Sequence, residues 1–576
     1  MSARWLIPES DARVVGDLAA HLGIQRLTAR VLASRGFTDA ESAHRFLSAS
    51  IDELHSPLLL RGMQEAVQRL KAAIAGGEKI LIYGDYDVDG TVSVVVLKKA
   101  IELAGGQASF HVPHRLKDGY GMRAEVIERA AAMGVRLIIS VDTGIRASEV
   151  VRGARELGID VIVTDHHLPE AELPPALAVL NPNRRDCSYP DKNLCGAGVA
   201  FKLVQALLSS LSWPEEKLAR MLKSFLKLVA VATVADVVPL LGENRIIVKY
   251  GLQGLHRVHN PGLRALLEVS GLLNGRAPSA HQVAFQIAPR INAAGRMDDA
   301  QNVIRMFLTE DLESARKLAK ELHLLNQERQ ETEAEIVRLV LEECSRAPVS
   351  DDQAALVFSG PNWHRGVVGI VASRLVDRFC RPVFVLSEED GQAQGSGRSI
   401  APFHLLDALE SMPDLFTRFG GHRQAAGLSM PLEGVAEFRA RLNAYARQRL
   451  TPADFVPQLA IDALVDLKEL TTGPVVAELF AMAPFGFGNP APVLAIRDAE
   501  VAAAPVVLKE KHLRVHLRQN GRSLFSKAWN FAERVNEVAA GSHCDAAFTL
   551  EEDPYSERHG VSGWTATLRD VRPANS

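Results

Sequence analysis

Between Lys79 and about Leu180, short apolar runs of the kind that form buried strands alternate with helical segments. This rhythm implies right-handed crossover connections, and it therefore predicts a parallel sheet covered by helices on both faces. The predicted strands are Ile80–Tyr83, Ala108–Val112, Leu137–Val141, Val161–Thr164 and Leu177–Leu180. Ligands of such sheets bind at the carboxyl ends of the strands, so the polar residues that follow each strand are the first candidates for a functional site.

Three carboxylates, Asp85, Asp87 and Asp89, occupy alternate positions directly after the first predicted strand. Alternate side chains of an extended segment point to one side, so these carboxylates can converge at the strand end. Like charges this close repel strongly in a partly buried site, and a bound cation or a raised pKa relieves the repulsion. The stretch therefore predicts a metal site.

The same spacing matches the opening of a calcium-binding EF-hand loop. The twelfth position counted from Asp85 is Val96, where that loop requires a bidentate Glu. The preceding segment is also predicted to be a strand rather than a helix. An EF-hand is therefore excluded.

Other candidate ligands are Asp142 in Ser140–Gly144, His166 and His167 after the fourth strand, and Asp236 in a very apolar segment. A single Asp at a strand end is more often a helix cap than a ligand, whereas burying Asp236 without a partner would be expensive. Carboxylate and imidazole ligands together favour Mn²⁺ or Mg²⁺, and four or more carboxylates favour a site with two ions.

The composition limits the class of protein. The 65 Lys and Arg residues nearly balance the 69 Asp and Glu residues, so a nucleic acid would have to be held by a local basic surface. Five scattered cysteines without a CxxC pair support neither a zinc knuckle nor a disulfide framework, and they fit a reducing cytosol. The N-terminus lacks the apolar core of a signal peptide, and no window reaches membrane-spanning length. We therefore expect a soluble, cytoplasmic protein without a membrane partner.

Residues 311–347 contain neither Gly nor Pro, and their apolar residues recur at helical spacing. The pattern predicts one helix of about 55 Å, at ~1.5 Å per residue, that acts as a strut between domains. The alternative is two ordinary helices that meet near Asn326.

A second α/β region is predicted to begin at Pro348, with strands at Ala355–Phe358 and Val383–Leu386 and a helix between them at 367–379. The Gly-rich stretches in this region, at 395–399 and around Gly420, have the glycines and donors of an anion-binding nest.

Short strands predominate after Thr451. The segment His512–Arg518 alternates basic and apolar side chains, and Asn520-Gly521 predicts a type I′ turn into a second strand at 523–529. A ribbon with a basic outer face suits a small barrel that contacts phosphates.

Taken together, these motifs resemble those of the DHH family of phosphoesterases. Asp87-Val-Asp89 resembles the first motif, Asp142 the second, Asp165-His166-His167 the third and Asp236 the fourth, while Gly420–Gly427 resembles the signature of the associated DHHA1 domain. Motif order, spacing and the third, barrel-like domain most resemble the bacterial single-strand-specific exonucleases of this family. The implied fold is α/β: a parallel-sheet DHH domain with a helical N-terminal lead (1–310), a connecting long helix (311–347), an α/β DHHA1 domain (348–455) and a C-terminal OB-like β-barrel (456–576).

The resemblance also implies roles for the motif residues. Asp142 would bridge two ions, Mn²⁺ or Mg²⁺, and act with His167, which would face the scissile phosphate. The remaining ligands would be Asp87, Asp89, His166 and Asp236. Small-substrate members of the wider family carry a metal-binding His where this chain has Tyr83, and Asp85 is included as a ligand that compensates for it.

Candidate substrate contacts combine cations with hydrogen-bond donors and one aromatic ring. Arg115 and Tyr120 would contact a phosphate and a base, the two contacts that single-strand binders combine. In the related exonucleases, the positions resembling Arg115 and the Ser396/Arg398 segment are implied to hold a 5′-terminal phosphate. The alternative for each arginine is a solvated loop residue. The full set of candidates is Arg115, Tyr120, Arg290, Arg296, Ser396, Arg398, Ser399, His422 and Arg423.

The expected function is a metal-dependent 5′→3′ exonuclease that hydrolyses single-stranded DNA to mononucleotides by two-metal in-line attack of water. The resemblance implies a role in DNA repair and recombination, with a single-strand DNA-binding protein and a DNA helicase as partners, and we expect a monomer. One alternative is a phosphodiesterase for short oligonucleotides or cyclic dinucleotides. The other is a non-catalytic DNA-binding scaffold.

Overall fold

The computed structural model describes residues 3–115, 117–119, 121–470, 473–553 and 563–574. The chain forms two compact units. The larger unit comprises Ile51–Pro452 with Gly486–Gly488, and the barrel unit comprises Met1–Ser50, Ala453–Phe485 and Asn489–Ser576. None of the described helices is long and apolar enough to cross a membrane.

The first 50 residues belong to the barrel unit. Their elements are β1 (Arg4–Leu6), α1 (Ala12–Leu22), α2 (Arg26–Ser34) and α3 (Ala40–Ser48). β1 pairs in parallel with Gln458–Ala460, and Val15 and Leu18 share an apolar core with the barrel strands. We predicted that these helices form a lead belonging to the first α/β domain. The observed packing differs from that prediction. Amphipathic spacing shows which face of a helix is buried but not what covers it.

A five-stranded parallel sheet organises the first half of the larger unit. The elements are α4 (Met63–Ala75), β2 (Lys79–Tyr83), α5 (Val88–Leu103), β3 (Ala108–His111), α6 (Ala124–Ala132), β4 (Val135–Val141), α7 (Ser148–Glu156), β5 (Asp160–Thr164) and β6 (Ala178–Leu180). The strand order is β3-β2-β4-β5-β6, and every pairing is parallel. Alternate residues of β2 enter different cores, with Ile80 and Ile82 on one face and Leu81 on the other. The predicted sheet, buried on both faces, is therefore confirmed.

A helical layer follows the sheet. Its elements are α8 (Gly196–Ser209), α9 (Glu215–Ala235), α10 (Gly242–Gly254), α11 (Pro261–Val269), α12 (Ala280–Gln282), α13 (Ala288–Met297) and α14 (Gln301–Leu308). A single π-helical turn, Val283–Ile287, joins α12 to α13. α8 and α10 are linked by a fully buried ion pair in which Lys202 Nζ lies 2.6 Å from Glu243 Oε1. Breaking such a pair from one side would leave a buried charge, so it fixes the two helices relative to each other.

One helix of 35 residues, α15 (Leu312–Arg346), connects the two α/β regions. The predicted single helix is confirmed, and the alternative of two helices meeting near Asn326 is wrong. Asn326 is buried inside the helix, where its side-chain oxygen accepts a 2.6 Å hydrogen bond from Arg329. Arg329 also pairs with Glu333 one turn later, at 2.6 Å. These contacts at helical spacing stabilise the helix where the sequence suggested a break.

The second α/β region contains a five-stranded sheet of order β10-β11-β9-β8-β7. Its elements are β7 (Leu356–Pro361), α16 (Val368–Phe379), β8 (Val383–Glu389), β9 (Gln392–Arg398), α17 (Leu405–Glu410), β10 (Arg418–Gly421), β11 (Ala425–Pro431) and α18 (Val435–Arg447). Residues 395–398 are therefore strand, and the nest predicted there is wrong, while the second Gly-rich stretch is strand as far as Gly421. A Cβ on Gly395 would lie 2.0 Å from the Val385 carbonyl oxygen, so this glycine permits close strand packing.

The barrel unit contains a seven-stranded sheet of order β13-β14-β18-β19-β17-β16-β15, which an additional β14–β16 pairing closes. Its elements are β12 (Gln458–Ala460), β13 (Ala463–Leu464), α19 (Leu467–Leu470), α20 (Val475–Ala481), β14 (Val493–Val501), β15 (Val506–Leu508), β16 (His512–Gln519), β17 (Arg522–Ala528), β18 (His543–Glu552) and β19 (Trp564–Pro573). The predicted ribbon is the β16–β17 hairpin. Its turn residues Asn520 and Gly521 have φ angles of 49° and 73°, as a type I′ turn requires.

Candidate metal centre and nucleic-acid interface

The loop between β2 and α5 places the three carboxylates of the first motif. Asp85 and Asp89 are buried, and Asp87 caps α5 by accepting a 2.9 Å hydrogen bond from the Gly90 N–H. A Cβ on Gly90 would lie 2.6 Å from the backbone nitrogen and oxygen of Asp85. Glycine at this position lets the first turn of α5 pack directly against the end of β2 and hold the loop tightly.

The amino-terminal end of α8 binds the Asp89 carboxylate. The Gly196 and Ala197 N–H groups donate to its two oxygens at 2.6 and 2.8 Å. Unpaired N–H groups and the helix dipole make this end of a helix favourable for an anion. No motif predicts this contact, although Cys195-Gly-Ala-Gly198 is a helix start made of small residues.

Side chains from three strand ends and from the end of α9 meet at His166. Its Nε2 lies 3.3 Å from Asp142 Oδ1, 3.7 Å from Asp236 Oδ2 and 3.9 Å from Asp89 Oδ2. Asp142 has a left-handed φ of 58° directly after β4. For a residue with a Cβ, this conformation costs energy and persists only where the surrounding structure imposes it.

His167 points differently from His166. Its Nδ1 lies 2.7 Å from Asp165 Oδ1, and Asp165 also accepts hydrogen bonds from the His166 and Ile145 N–H groups at 2.8 and 2.9 Å. Asp165 thus orients the pair of histidines and lies outside the cluster of carboxylates. The Asn181 amide fixes the same segment by donating to the His167 carbonyl at 2.8 Å.

Three overlapping groups of side chains offer ligand atoms within 4.8 Å of one another: Asp142, His166 and His167; Asp89, His166 and Asp236; and Asp85, Asp87 and Asp142. Within these groups, four buried atoms have no hydrogen-bond partner among the described residues: Asp85 Oδ1, Asp142 Oδ1, His166 Nε2 and Asp236 Oδ2. Buried acceptors are normally satisfied. Since the donor set consists of carboxylate oxygens and imidazole nitrogens, it fits hard divalent cations such as Mn²⁺ or Mg²⁺.

Burial and mutual repulsion perturb the acids of this cluster. Burial, followed by the charge of Asp89, raises the pKa of Asp142 well above its usual range. Burial and the charge of Asp87 raise the pKa of Asp85 to about 8, and burial and the charge of Asp89 raise the pKa of Asp236 to about 9. Burial and mutual repulsion therefore disfavour the ionised cluster, and a bound counter-charge would relieve both effects.

The two histidines shift in opposite directions. Burial lowers the pKa of His166, which favours the neutral form that can bind a metal. Burial would also lower the pKa of His167, but its hydrogen bond to Asp165 and the charges of Asp165 and Asp89 raise it overall. His167 therefore favours the protonated form.

The positive charges of three predicted arginines, Arg115, Arg296 and Arg398, affect one another's pKa values. Burial, then the positive charges of Arg115, Arg329 and Arg398, lowers the pKa of Arg296 to about 9. Arg115 lies over the Tyr86 ring, 5.1 Å from its centroid. Guanidinium groups crowded in this way favour an anionic ligand. Arg329, on α15, was missed because its position within a long helix gave no sign of this neighbourhood.

The remaining predicted substrate residues differ in the contacts that they make. Ser396 lies beside Arg398 at Gly369, in the first turn of α16. The Arg290 guanidinium donates to the Gln286 carbonyl, and Arg290 affects His323 rather than the arginine cluster. Ser399 Oγ donates to the Phe403 carbonyl and Arg423 to the Ala401 carbonyl, so both are tied to backbone.

His422 and Arg423 are exposed. Burial and the charges of Arg146 and His167 lower the pKa of His422, so His422 lies within electrostatic range of His167. Tyr120 lies outside the described residues.

In the barrel unit, the outer face of the β16–β17 hairpin combines aromatic rings with cations. Phe525 is 58% exposed and stacks on His516 with ring centroids 4.3 Å apart. Trp529 is 50% exposed, just beyond β17. Arg514 lies directly opposite Lys527, and neither forms an ion pair with a described residue. Adjacent cations without counter-charges, alternating with exposed rings, are typical of a single-strand-binding surface.

Family models match three parts of the chain. The DHH family, N-terminal domain, matches residues 79–233; the DHHA1 domain matches 352–448; and the RecJ OB domain matches 461–562.

Individual relatives match over most of the chain. The single-stranded-DNA-specific exonuclease RecJ of Bacillus subtilis is 39% identical over 558 residues, which are 96% of this chain and 69% of that protein. The protein of the same description from Escherichia coli is 39% identical over 83% of this chain and 84% of its own length. A crystal structure of RecJ in complex with Mn²⁺ from Thermus thermophilus covers 100% of this chain and 80% of that one, with a TM-score of 0.82 and 32% identity. This chain therefore belongs to the RecJ family of DHH proteins.

Proposed function

We propose that this protein is a metal-dependent exonuclease that degrades single-stranded DNA from the 5′ end to mononucleotides. The observation that carries the proposal is a set of four buried ligand atoms without partners, in the same unit as a crowded group of arginines. Its relatives are named single-stranded-DNA-specific exonucleases. Cations bound to the carboxylates, together with the arginines, would complement a phosphodiester.

We assign the ligands Asp85, Asp87, Asp89, Asp142, His166 and Asp236 to two divalent ions. Asp142 belongs to two of the three ligand groups, one with the histidines and one with Asp85 and Asp87, which supports a bridging position. When bound, the ions would activate water and neutralise charge on the phosphate. The chain itself holds the carboxylates in place, through the N–H groups that bind Asp89 and through the cap formed by Asp87.

His167 is assigned to the scissile phosphate. Its hydrogen bond to Asp165 fixes the ring and favours the protonated imidazole. A charged Nε2–H can donate to a phosphate oxygen, stabilising the negative charge that develops during hydrolysis. His166, which approaches three carboxylates, is assigned to the metal instead.

The raised acid pKa values predict that metal binding depends on pH. Asp85, with a pKa of about 8, and Asp236, with a pKa of about 9, hold protons at neutral pH when no metal is bound. A cation must displace these protons, so affinity for Mn²⁺ should rise from about pH 6 to about pH 9. Calorimetric titration in buffers of different ionisation enthalpy counts the protons released, and Asp236→Asn should release fewer.

The stability of the metal-free protein should change with pH in the opposite direction to the metal affinity. The folded carboxyl pKa values exceed those of the unfolded chain, near 4, so stability present at low pH is lost as the pH rises toward about 9. The melting temperature should therefore fall over this range without Mn²⁺ and be restored by it. A Mn²⁺ affinity that is constant across the range would contradict the assignment of these ligands.

The arginine cluster supports a 5′-phosphate pocket. The charges of Arg115, Arg296 and Arg398 act on one another. Ser396 and Arg398 lie beside the first turn of α16. This turn presents N–H groups and the positive end of a helix dipole. A terminal phosphate carries more charge than an internal one, so the pocket would select the end of a strand and set the direction of digestion.

Arg398→Ala should discriminate between 5′-phosphorylated and 5′-hydroxyl strands. Loss of a charge-assisted hydrogen bond costs about 1.5–3 kcal/mol, so binding of the phosphorylated strand should weaken by about 10-fold or more. The 5′-hydroxyl strand should lose much less. Arg378→Ala is the matched control, because Arg378 is exposed in the last turn of α16, at the opposite end of that helix from the pocket. Equal weakening for both strands in Arg398→Ala would remove Arg398 from the pocket.

The barrel unit supplies a second contact surface for the strand. Replacing Arg514 and Lys527 together with Ala should lower the slope of log affinity against log salt concentration by about 1 to 2, because each phosphate contact releases counterions. Fluorescence anisotropy at several salt concentrations measures the slope. Arg26→Ala, an exposed cation on α2, is the control and should leave it unchanged. An unchanged slope in the double variant would exclude this face from the DNA path.

Digestion of end-labelled strands tests the activity itself. With Mn²⁺ or Mg²⁺, labelled mononucleotide should appear at once from a 5′ label and only late from a 3′ label. Asp142→Ala should reduce the rate by at least about 1,000-fold, since the proposed bridging ligand is lost. Cleavage confined to oligomers of a few nucleotides would indicate the oligonucleotide or cyclic-dinucleotide phosphodiesterase instead. Binding without cleavage would indicate a scaffold.

The same proposal includes the protein partners, the cellular process and the compartment. A helicase and a single-strand DNA-binding protein would supply and present the substrate during repair and recombination, and the enzyme would act as a monomer in the cytoplasm. All five cysteines are free, which supports a reducing compartment. The ranges matched by the three family models support the proposed division into DHH, DHHA1 and OB-like domains.

A further inference from the structure

An apolar cavity of about 290 Å³ lies beside the proposed metal centre. One wall is the end of α9, with Val234, Ala235 and Val237 on both sides of the proposed ligand Asp236. Further walls come from the π-helical turn before α13 and from α13 itself. Ligand pockets usually begin at about 300 Å³, so this space suits one small ring system rather than a long segment of polymer.

The most unusual wall residue is Phe285. It is 67% exposed, although it lines an apolar cavity. It belongs to the π-helical turn Val283–Ile287, a rare conformation that often marks a functional position. The ring lies 4.6 Å from that of His281, which supports it from one side. A phenyl ring held in water in this way offers a stacking surface.

The backbone just after α9, on the rim of the cavity, is strained. Val237 is 60% exposed and has a left-handed φ of 59°, which is costly for a β-branched residue. It follows Asp236 directly, so the strain places an apolar side chain at the cavity next to a proposed ligand. Phe285 and Val237 thus contribute apolar surface to the same small space.

The polar groups of the cavity are few. Arg296 and Arg329 line it and belong to the arginine cluster. The only uncharged polar side chain among its described lining residues is Asn292, which forms no side-chain hydrogen bond with any described residue. Cations for phosphates, an amide for a ring edge and an exposed aromatic ring together match the chemistry of a nucleotide.

We propose that this cavity is a nucleobase slot, in which Phe285 stacks on the base of the nucleotide adjacent to the scissile phosphate. The slot rests on the proposed exonuclease function and deepens it. Stacking accepts any base because every base has a π face, and one amide cannot distinguish the four. The slot would therefore position the strand at the metal centre without selecting sequence.

A binding measurement without catalysis tests the slot. Strands with 5′ phosphates carry 2-aminopurine at the first, second or third nucleotide, and fluorescence is recorded with the full-length protein in EDTA. Stacking on Phe285 should quench the probe at one of these positions. Phe285→Ala should remove that quenching and Phe285→Trp should retain it. Met133→Ala, also 67% exposed but on the sheet domain at the end of α6, is the control and should leave it intact.

Kinetics with an abasic nucleotide provide the second measurement. Base–aromatic stacking is strong enough that Phe285→Ala should lower kcat/KM for a normal strand by about 10-fold. The same variant should have little effect on a strand that is abasic at the quenched position. Melting temperatures of all variants should match the wild type, because Phe285 is exposed.

The outcomes separate this inference from the proposed function. If wild-type protein does not degrade single strands, the function fails and the slot fails with it. If wild-type protein degrades them but no probe position is quenched, or Phe285→Ala lowers kcat/KM equally for normal and abasic strands, only the slot is overturned. Loss of quenching and a base-dependent kinetic effect together support it.

Discussion

Buried like charge at the carboxyl ends of the parallel strands is the constraint on which the rest of the larger unit depends. Asp142 and Asp89 both approach His166, and burial with mutual repulsion raises the pKa of Asp142. Such a cluster persists only where surrounding structure fixes each carboxylate. Backbone N–H groups of Gly196 and Ala197 do this for Asp89. The helical layer therefore serves the site as well as the core.

No described arginine forms an ion pair with the carboxylates of the metal centre, although the charge of Arg115 opposes the rise in the pKa of Asp85. Burial and the charges of Arg115, Arg329 and Arg398 lower the pKa of Arg296, and Arg296 forms no ion pair with a described acid. Burying charges of either sign without a partner is costly. This arrangement is understandable if a further component supplies counter-charge to each group: divalent cations for the acids and phosphates for the arginines. The proposed function follows from this unsatisfied arrangement.

Much of the fold was predictable because its signals are local. The parallel sheet follows from apolar runs alternating with helices, α15 from a long stretch without Gly or Pro, and the β16–β17 hairpin from Asn520-Gly521. Two predictions failed where the partner of a segment matters. The first 50 residues pack in the barrel unit, and the Gly-rich stretch at 395–398 is a strand in which Gly395 allows a carbonyl to approach. Neither amphipathic spacing nor glycine content identifies the neighbouring segment.

The sequence by itself determined which chemical groups the candidate site would contain, because the motif residues follow strands whose carboxyl ends must share one edge of a sheet. Tertiary structure decided how these groups divide. It directs His166 to three carboxylates and His167 to Asp165, and it adds Arg329 from a distant helix. It also leaves Phe285 exposed at a cavity. Side-chain direction and contacts between distant segments depend on how whole elements pack, and no pattern of neighbouring residues specifies that packing.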